Sequence, residues 1–492
     1  MAEKKVNSTE GDPWERVAAR LGTDLFLDLQ PDPSTTARGR GAMRRRALAD
    51  ALRDAISDGR LPPGTMVPPY RSLAADLGLA RGTVAAVYAE LVAEGRLTAR
   101  QGSGTRVAGG IHPQQPASLA PPTVTLPTAD HDFALGQPNP SLFPRSAWAA
   151  STRRALNGAS DSVFASSAPN GSEALRTELA AYLARARGVR TSPDCIVLTT
   201  SVSGSLDLLS RTVFGRKVAV ESHGLPFHRE VIARRGVATS PLPVDARGAD
   251  VSRLADSGVD AVVLTPSHQY PFGVALAPDR RAEVVKWATR TDAVIVEDDY
   301  DGELRYDRDP VGALQGLAPD SVIQTGSVSK SLSPAVRIGW LVLPPRLVSS
   351  VMWAKGVREP DASIVDQLVL ADMIAAGTYD THIRRSRQFY RARRDHLIAR
   401  LAADGIEVSG IAAGLHAVIP LPVDVEHRLL RDCHARGFAF GGLDAMRHPD
   451  ADPPVDENGV AQGGLVVGFA SPANSTFVRD VDALATLITE YR

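Results

Sequence analysis

Five short runs of apolar, largely β-branched residues, "CIVLTT", "KVAVES", "AVVLTP", "AVIVED" and "SVIQTG", fall between residues 195 and 326 and constrain the fold of this chain more than any other feature. Apolar runs of this length that do not alternate with polar residues read as strands buried on both faces, and helical stretches such as "GSEALRTELAAYLARARGV" alternate with them. That pattern predicts an α/β unit with a mostly parallel central sheet. At 492 residues the chain is too long for one hydrophobic core, so a further unit is expected. Its 43% apolar and 23% charged residues suit a soluble protein. No apolar run approaches the ~20 residues that span a bilayer, which argues against a membrane partner. The start "MAEKKVNSTEGDPWERVAARLG" carries charge with no apolar stretch behind it, so a cytoplasmic location is expected. Cys195 and Cys433 lie far apart and outside any CxxC or Cys/His cluster, which argues against a disulfide framework or a metal site.

The net charge of -1 conceals a segregation. From Arg38 to Arg106 there are twelve Arg, no Lys and six acids, a balance of +6, which leaves -7 on the remainder. A small basic unit beside a large acidic one has an electrostatic reason to approach nucleic acid. Within that segment "RRRALADALRDAIS" spaces Leu48, Leu52 and Ile56 four apart, as an amphipathic helix requires. Two shorter helical patterns, "YRSLAADLG" and "RGTVAAVYAELVAEG", end at Gly78 and Gly95, and "RLTARQGSGTRVAG" reads as two strands turned by Gly102 and Gly104. Three helices and a glycine-turned hairpin make a winged helix-turn-helix.

The stretch "LPPGTMVPPYRSLAADLGLARGTVAAVYAELVAEGRLTARQGSGTRV" resembles the DNA-binding domain of GntR-type bacterial regulators. That resemblance implies double-stranded operator DNA as partner, with the helix near Arg81 entering the major groove. Arg71 and Arg81 would meet phosphates or a guanine edge, Gly82 and Thr83 would lie at the helix start, and Gly102, Ser103, Gly104 and Thr105 would form the wing tip against the backbone. The alternative for Arg71 and Arg81 is an ion pair with Asp76 or Glu90. Ala80 stands where the family usually has a serine, which removes a natural N-cap. The organisation expected is an N-terminal extension at 1–36, the DNA-binding domain at 37–108, a proline-rich, semi-rigid linker at 109–130 and an effector domain at 131–492.

In the effector domain "GSVSKSLSPAVRIGW" sets Lys330 among Ser327 and Ser329, with Arg337 seven positions on. Hydroxyls and a forked cation suit a phosphate, and a lysine held in such a site can attack an aldehyde. Upstream, "VIVEDDYDGE" ends a buried strand in Asp298 and Asp299 beside Tyr300. A carboxylate at a buried strand end is costly unless it meets a cation, and a protonated pyridine nitrogen is one. Asp298 and Lys330 are 32 residues apart, about one strand-crossover-strand unit, so both can reach the same sheet edge. Such a site would hold pyridoxal 5'-phosphate.

Together "TPSHQYPFG", "EDDYDGELRY", "GSVSKSLSPAVRIGW" and "THIRRSRQFYRARRDHL" resemble the fold-type I aminotransferase module, and their order after a GntR domain resembles the MocR family of regulators. The resemblance implies an α/β fold: a winged helix-turn-helix, then a fold-type I aminotransferase-like domain with a mixed, mostly parallel sheet and a smaller C-terminal α/β subdomain. It also implies a homodimer. Lys330 would form a lysine aldimine with the cofactor, Asp298 would pair with its ring nitrogen and Tyr300 would bond its phenolic oxygen. Ser327, Ser329, Arg337 and the loop of Ser201, Val202 and Ser203 would hold the phosphate, while His268 and Gln269 would flank the ring.

Three departures bear on function. The first phosphate loop reads "TTSVSGS", the usual aromatic stacker is Leu225, and the carboxylate-binding arginine of "L-R-L-G-F-A" is Val466. Losing the stacker and the arginine attacks substrate positioning, which turnover needs more than sensing does. The expectation is a regulator that senses pyridoxal phosphate or a small amine effector, without productive transamination and without catalytic residues. The alternatives are a regulator whose domain no longer binds the cofactor, and an active aminotransferase.

Overall fold

The computed structural model describes residues 37–100, 104–109, 129–165, 168–306, 311–356, 362–455 and 459–491, with side chains from residue 44 onward. The extension at 1–36, nearly all of the linker, and Gly102 and Ser103 of the wing lie outside the described residues. The chain divides into two compact units, Met1–Thr125 and Leu126–Arg492.

In the smaller unit, helices α1 (Ala37–Ser57), α2 (Tyr70–Asp76) and α3 (Arg81–Ala93) pack beside a sheet of β1 (Met66–Val67), β3 (Gly104–Val107) and β2 (Leu97–Arg100), in that order. The apolar stripe of α1 closes on α3: Leu48, Leu52 and Ile56 are buried with Val84, Val87 and Leu91. Arg53 ties the two helices from outside, meeting Glu90 at 2.5 Å and Glu94 at 2.5 Å. Strand β1 was not anticipated, because two residues beside Pro68 and Pro69 carry no periodicity.

The larger unit begins with β4 (His131–Asp132), α4 (Arg145–Gly158) and α5 (Glu173–Arg187). Strands β5 (Ile196–Thr199), β6 (Lys217–Glu221), β7 (Ala238–Leu242), β8 (Ala261–Leu264), β9 (Val294–Asp298), β10 (Val322–Ser327) and β11 (Gly339–Val342) form one seven-stranded sheet. Its spatial order is β5-β11-β10-β9-β8-β6-β7. All neighbours are parallel except β11, which runs antiparallel to both β10 and β5. Helices α6 (Val202–Thr212), α7 (Pro226–Ala233) and α8 (Pro278–Thr291) return the chain between strands. Beyond α9 (Pro345–Lys355), α10 (Ile364–Ala375) and the long α11 (Thr378–Ala403), a smaller antiparallel sheet of β12 (His416–Pro422), β14 (Gln462–Gly468) and β13 (Gly441–Gly442) packs with α12 (Val423–Cys433) and α13 (Phe477–Tyr491). Its core joins Tyr390 and Leu397 of α11 to Leu465, Val467, Leu484 and Ile488.

This topology positions a site. The parallel strands β6, β9 and β10 end in Glu221, Asp298 and Ser327, and β5 leads into the N-terminus of α6, so all four converge on one edge. Ligands of open α/β sheets bind in the crevice outside such carboxyl ends.

Candidate functional site

A cleft of about 460 Å³ opens at that edge, and Lys330, Asp298, Tyr300, Ser327, Ser329, Arg337, Ser201, Val202 and Ser203 all line it. Alternation along β9 sorts the carboxylates. Glu297 turns away and accepts the backbone amides of Leu314 at 2.7 Å and Gln315 at 2.9 Å. Asp299 is taken by Arg187 in a buried fork, 2.7 Å to Nε and 2.8 Å to Nη2. Asp298 faces the cleft, and its Oδ1 is buried with no hydrogen-bond partner among the described residues. Both acids are therefore buried rather than part of a solvated turn.

Lys330 follows β10 in a pinned loop. Ser331 accepts a hydrogen bond at Oγ from the Tyr379 hydroxyl, 2.8 Å, and its carbonyl lies 2.6 Å from His382 Nε2, so the "THIRRSRQFYRARRDHL" helix holds the loop in place. The Lys330 ammonium donates to the Gly136 carbonyl at 2.6 Å, and a Cβ at Gly136 would lie 2.6 Å from the amine. A side chain there would displace the amine and strain a backbone held at a φ of +63°. Burial pushes the amine below its ordinary range, opposed by Asp301 and Asp298. A lysine so placed spends more time as the free amine, the nucleophilic form.

The side of the cleft where a phosphate is expected is built from backbone and cation. Ser201 caps α6, its Oγ accepting from Gly204 N at 3.1 Å, so the helix N-terminus faces the cleft despite the departure from the family loop. Arg337 sits at a φ of +57°, a conformation that costs a residue with a side chain about 1–3 kcal/mol and is kept where the surroundings fix it. No carboxylate pairs with it among the described residues.

His268 and Gln269, expected beside the ring, do not line the cleft. His268 Nδ1 lies 2.7 Å from Asp301 Oδ2 and 3.0 Å from the Tyr300 hydroxyl. Gln269 donates to Glu221 at 3.2 Å and to the His223 carbonyl at 3.0 Å. Buried carboxylates have drawn both into the wall behind the site. Leu225, His223 and Phe227 all line the cleft, while Val466 is fully buried in an apolar cluster with Tyr270, Val418, Leu443 and Met446. Sequence reasoning missed Glu221, His228, Arg229, Asp301 and His416, which share the lining. Glu221 was within reach, since "KVAVES" ends a buried strand in a carboxylate just as "AVIVED" does.

A buried acid without a partner has a pH signature. Burial, then Asp299, Asp301 and Glu221, push Asp298 up to about 8, and burial pushes Glu221 and Glu297 to about 7. The folded chain then holds protons that these acids release near pH ~4 when unfolded, so their share of stability is lost as pH rises toward the folded values. His223, His228 and His416, pushed by burial to about 4, act with the opposite sign below about 6.5. Between pH 6.5 and 8 the carboxyl contribution dominates among these groups. The melting temperature of the ligand-free protein should fall across that window, and Asp298→Asn should flatten the fall. A slope that the substitution leaves unchanged contradicts this reading of Asp298.

In the smaller unit Arg71, Arg81 and Gly82 are exposed and Thr83 is half-buried at the start of α3. Glu90 is occupied by Arg45 at 2.9 Å and Arg53 at 2.5 Å, and neither Arg71 nor Arg81 has an ion-pair partner among the described residues. Ala80 supplies no side-chain cap, which leaves the first amides of α3 open. Gly104 and Thr105 open β3, with Gly104 at a φ of +80°.

Residues 44–107 match the family model "Bacterial regulatory proteins, gntR family", and residues 131–437 match "Aminotransferase class I and II". The HTH-type pyridoxine biosynthesis transcriptional regulator PdxR of Corynebacterium glutamicum is 33% identical over 87% of this chain and 92% of its own length. The probable rhizopine catabolism regulatory protein MocR of Rhizobium meliloti is 30% identical over 89% and 92% respectively. Among solved structures, Pyrococcus horikoshii kynurenine aminotransferase superposes with a TM-score of 0.65 at 25% identity, covering 73% of this chain and 91% of that one.

Proposed function

Since the chain belongs to the MocR type of GntR regulators, a winged helix-turn-helix joined to an aminotransferase class I and II domain, we propose that it is a DNA-binding transcriptional regulator whose large domain binds pyridoxal 5'-phosphate and reports its ligand state to the operator. The observation that carries this reading is the unpaired Oδ1 of Asp298 facing the same cleft as a desolvated lysine. Lys330 would hold the aldehyde end, Asp298 the ring nitrogen and Tyr300 the phenolic oxygen. Ser201 to Ser203, Ser327, Ser329 and Arg337 would hold the phosphate. When bound, the group supplies an aldehyde carbon that an amine can occupy reversibly.

The chain's own residues do the rest. Asp298 holds a proton until a cation arrives, the α6 amides and Arg337 orient the phosphate, and the Asp301-His268-Tyr300 contacts fix the phenol. Leu225 replaces an aromatic face and Val466 replaces a forked cation, which weakens the positioning that transamination needs. Sensing asks only for ligand affinities that differ between two conformations, and ~1–3 kcal/mol of such preference already changes DNA occupancy. A homodimer suits paired operator half-sites. No described helix is long and apolar enough to cross a membrane.

Turnover separates a sensor from an enzyme. The cofactor-loaded protein, given amino acids and a keto-acid acceptor, should form keto-acid product at well under the ~1 per second that marks the low end of ordinary enzymes. Steady production at or above that rate, with no retention of any duplex, overturns the proposal.

A further inference from the structure

Arg229, on α7, lines the same cleft as Lys330. Its Nη1 donates to the carbonyls of Gly224 at 3.2 Å and Met446 at 3.1 Å, and its Nη2 to the carbonyl of Arg447 at 3.1 Å. Those bonds account for three of its five N–H groups and leave two, Nε–H among them, for a further acceptor. Arg447 is itself taken by Asp444 at 2.9 Å. No carboxylate forms an ion pair with Arg229 among the described residues, and its chain neighbour Glu230 is exposed and lies 3.5 Å from Arg234. A half-buried guanidinium satisfied by neutral carbonyls alone has a deficit of negative charge.

The surroundings say what would supply it. His228, the chain neighbour of Arg229, lines the cleft as well, so the Lys330 amine and the Arg229 guanidinium border one cavity. The position the family uses for this task, Val466, is sealed in an apolar cluster and cannot contribute. Leu225 and Met446 add apolar surface to the same cleft.

We infer that Arg229 receives the carboxylate of the effector, so that the ligand this cleft selects is an amino acid rather than a plain amine. The inference rests on the cleft being a pyridoxal phosphate site, as proposed above. It reverses what Val466 alone suggests, because the cation is present but reaches the cleft from α7 instead of from β14.

The test pairs each amino acid with its decarboxylated counterpart: L-leucine with isoamylamine, and β-alanine with ethylamine. Each is titrated by calorimetry and absorbance into full-length, cofactor-loaded protein, wild type, Arg229→Gln and Arg229→Lys. Visible absorbance before titration reports cofactor loading, so failure of the parent reading is seen separately from failure of this one. At least one amino acid should bind wild type about 10-fold or more tightly than its partner amine, as a single charge-assisted fork allows. In R229Q that ratio should fall to within about 3-fold while the plain amine binds as before, and R229K should keep an intermediate preference. Equal binding within both pairs, binding of none of the four, or an R229Q variant that loses amine and amino acid alike overturns the inference; the last would make Arg229 a strut between Gly224 and Met446 only.

Discussion

Lys330→Ala should leave a folded, colourless protein whose affinity for pyridoxal phosphate is reduced about 100-fold, equivalent to ~2.7 kcal/mol. The size follows from what is removed and what stays. The substitution deletes the one amine in contact with Gly136 O, and with it the covalent capture and the visible absorbance of lysine-bound cofactor. Asp298, Arg337 and the α6 amides stay, so weak non-covalent affinity should persist. The winged helix has its own core, Leu48 to Val107, so retention of DNA in the absence of ligand should be unchanged. An alanine variant that keeps both the absorbance and the wild-type affinity would mean that the cofactor is held elsewhere.

The combined substitution Arg71→Ala and Arg81→Ala should reduce operator affinity by on the order of 100-fold or more, since each arginine bound to a base edge is worth ~1–3 kcal/mol. Both side chains are exposed and lack ion-pair partners among the described residues, and Arg71 lies 5.9 Å over the ring of Tyr70, itself exposed, so removing them leaves the core of the unit intact. If either meets only phosphate, the loss should be uniform across sequences and the salt slope should fall by about 1 per contact. Arg53→Ala is the control: Arg53 is committed to Glu90 and Glu94, so its loss should lower the melting temperature and leave the salt slope intact. A double variant that binds like wild type would mean that DNA is read by another surface.

Much of this was legible in the residues, for identifiable reasons. Five of the seven strands announced themselves because strands buried on both faces need unbroken apolar runs, and the two that did not are informative. Strand β7 carries Pro241 and lies at the sheet edge, where the need for apolar residues relaxes. Strand β11 hides in "GWLV", and its antiparallel course follows from where the chain must return after Lys330, which no local pattern encodes. That Lys330, Asp298, Ser327, Ser329 and Arg337 share one cleft was legible because two short motifs carry them. Arg229 was not found, since its setting depends on residues 222–224 meeting 446–448, more than 200 positions away in sequence. His268 and Gln269 lie behind the cleft lining for a related reason: Asp301 and Glu221, invisible as partners in one dimension, engage them there.

In the proposed function the ligand state at Lys330 governs DNA occupancy. The most direct test is the dissociation constant of a duplex selected on the protein from a randomised pool, measured with and without pyridoxal phosphate for wild type and Lys330→Ala. The cofactor should change the wild-type constant by about 5-fold or more, the low end of allosteric coupling, and leave the variant's constant unmoved. Identical titrations of the two proteins, or a wild-type constant indifferent to the cofactor, would contradict it.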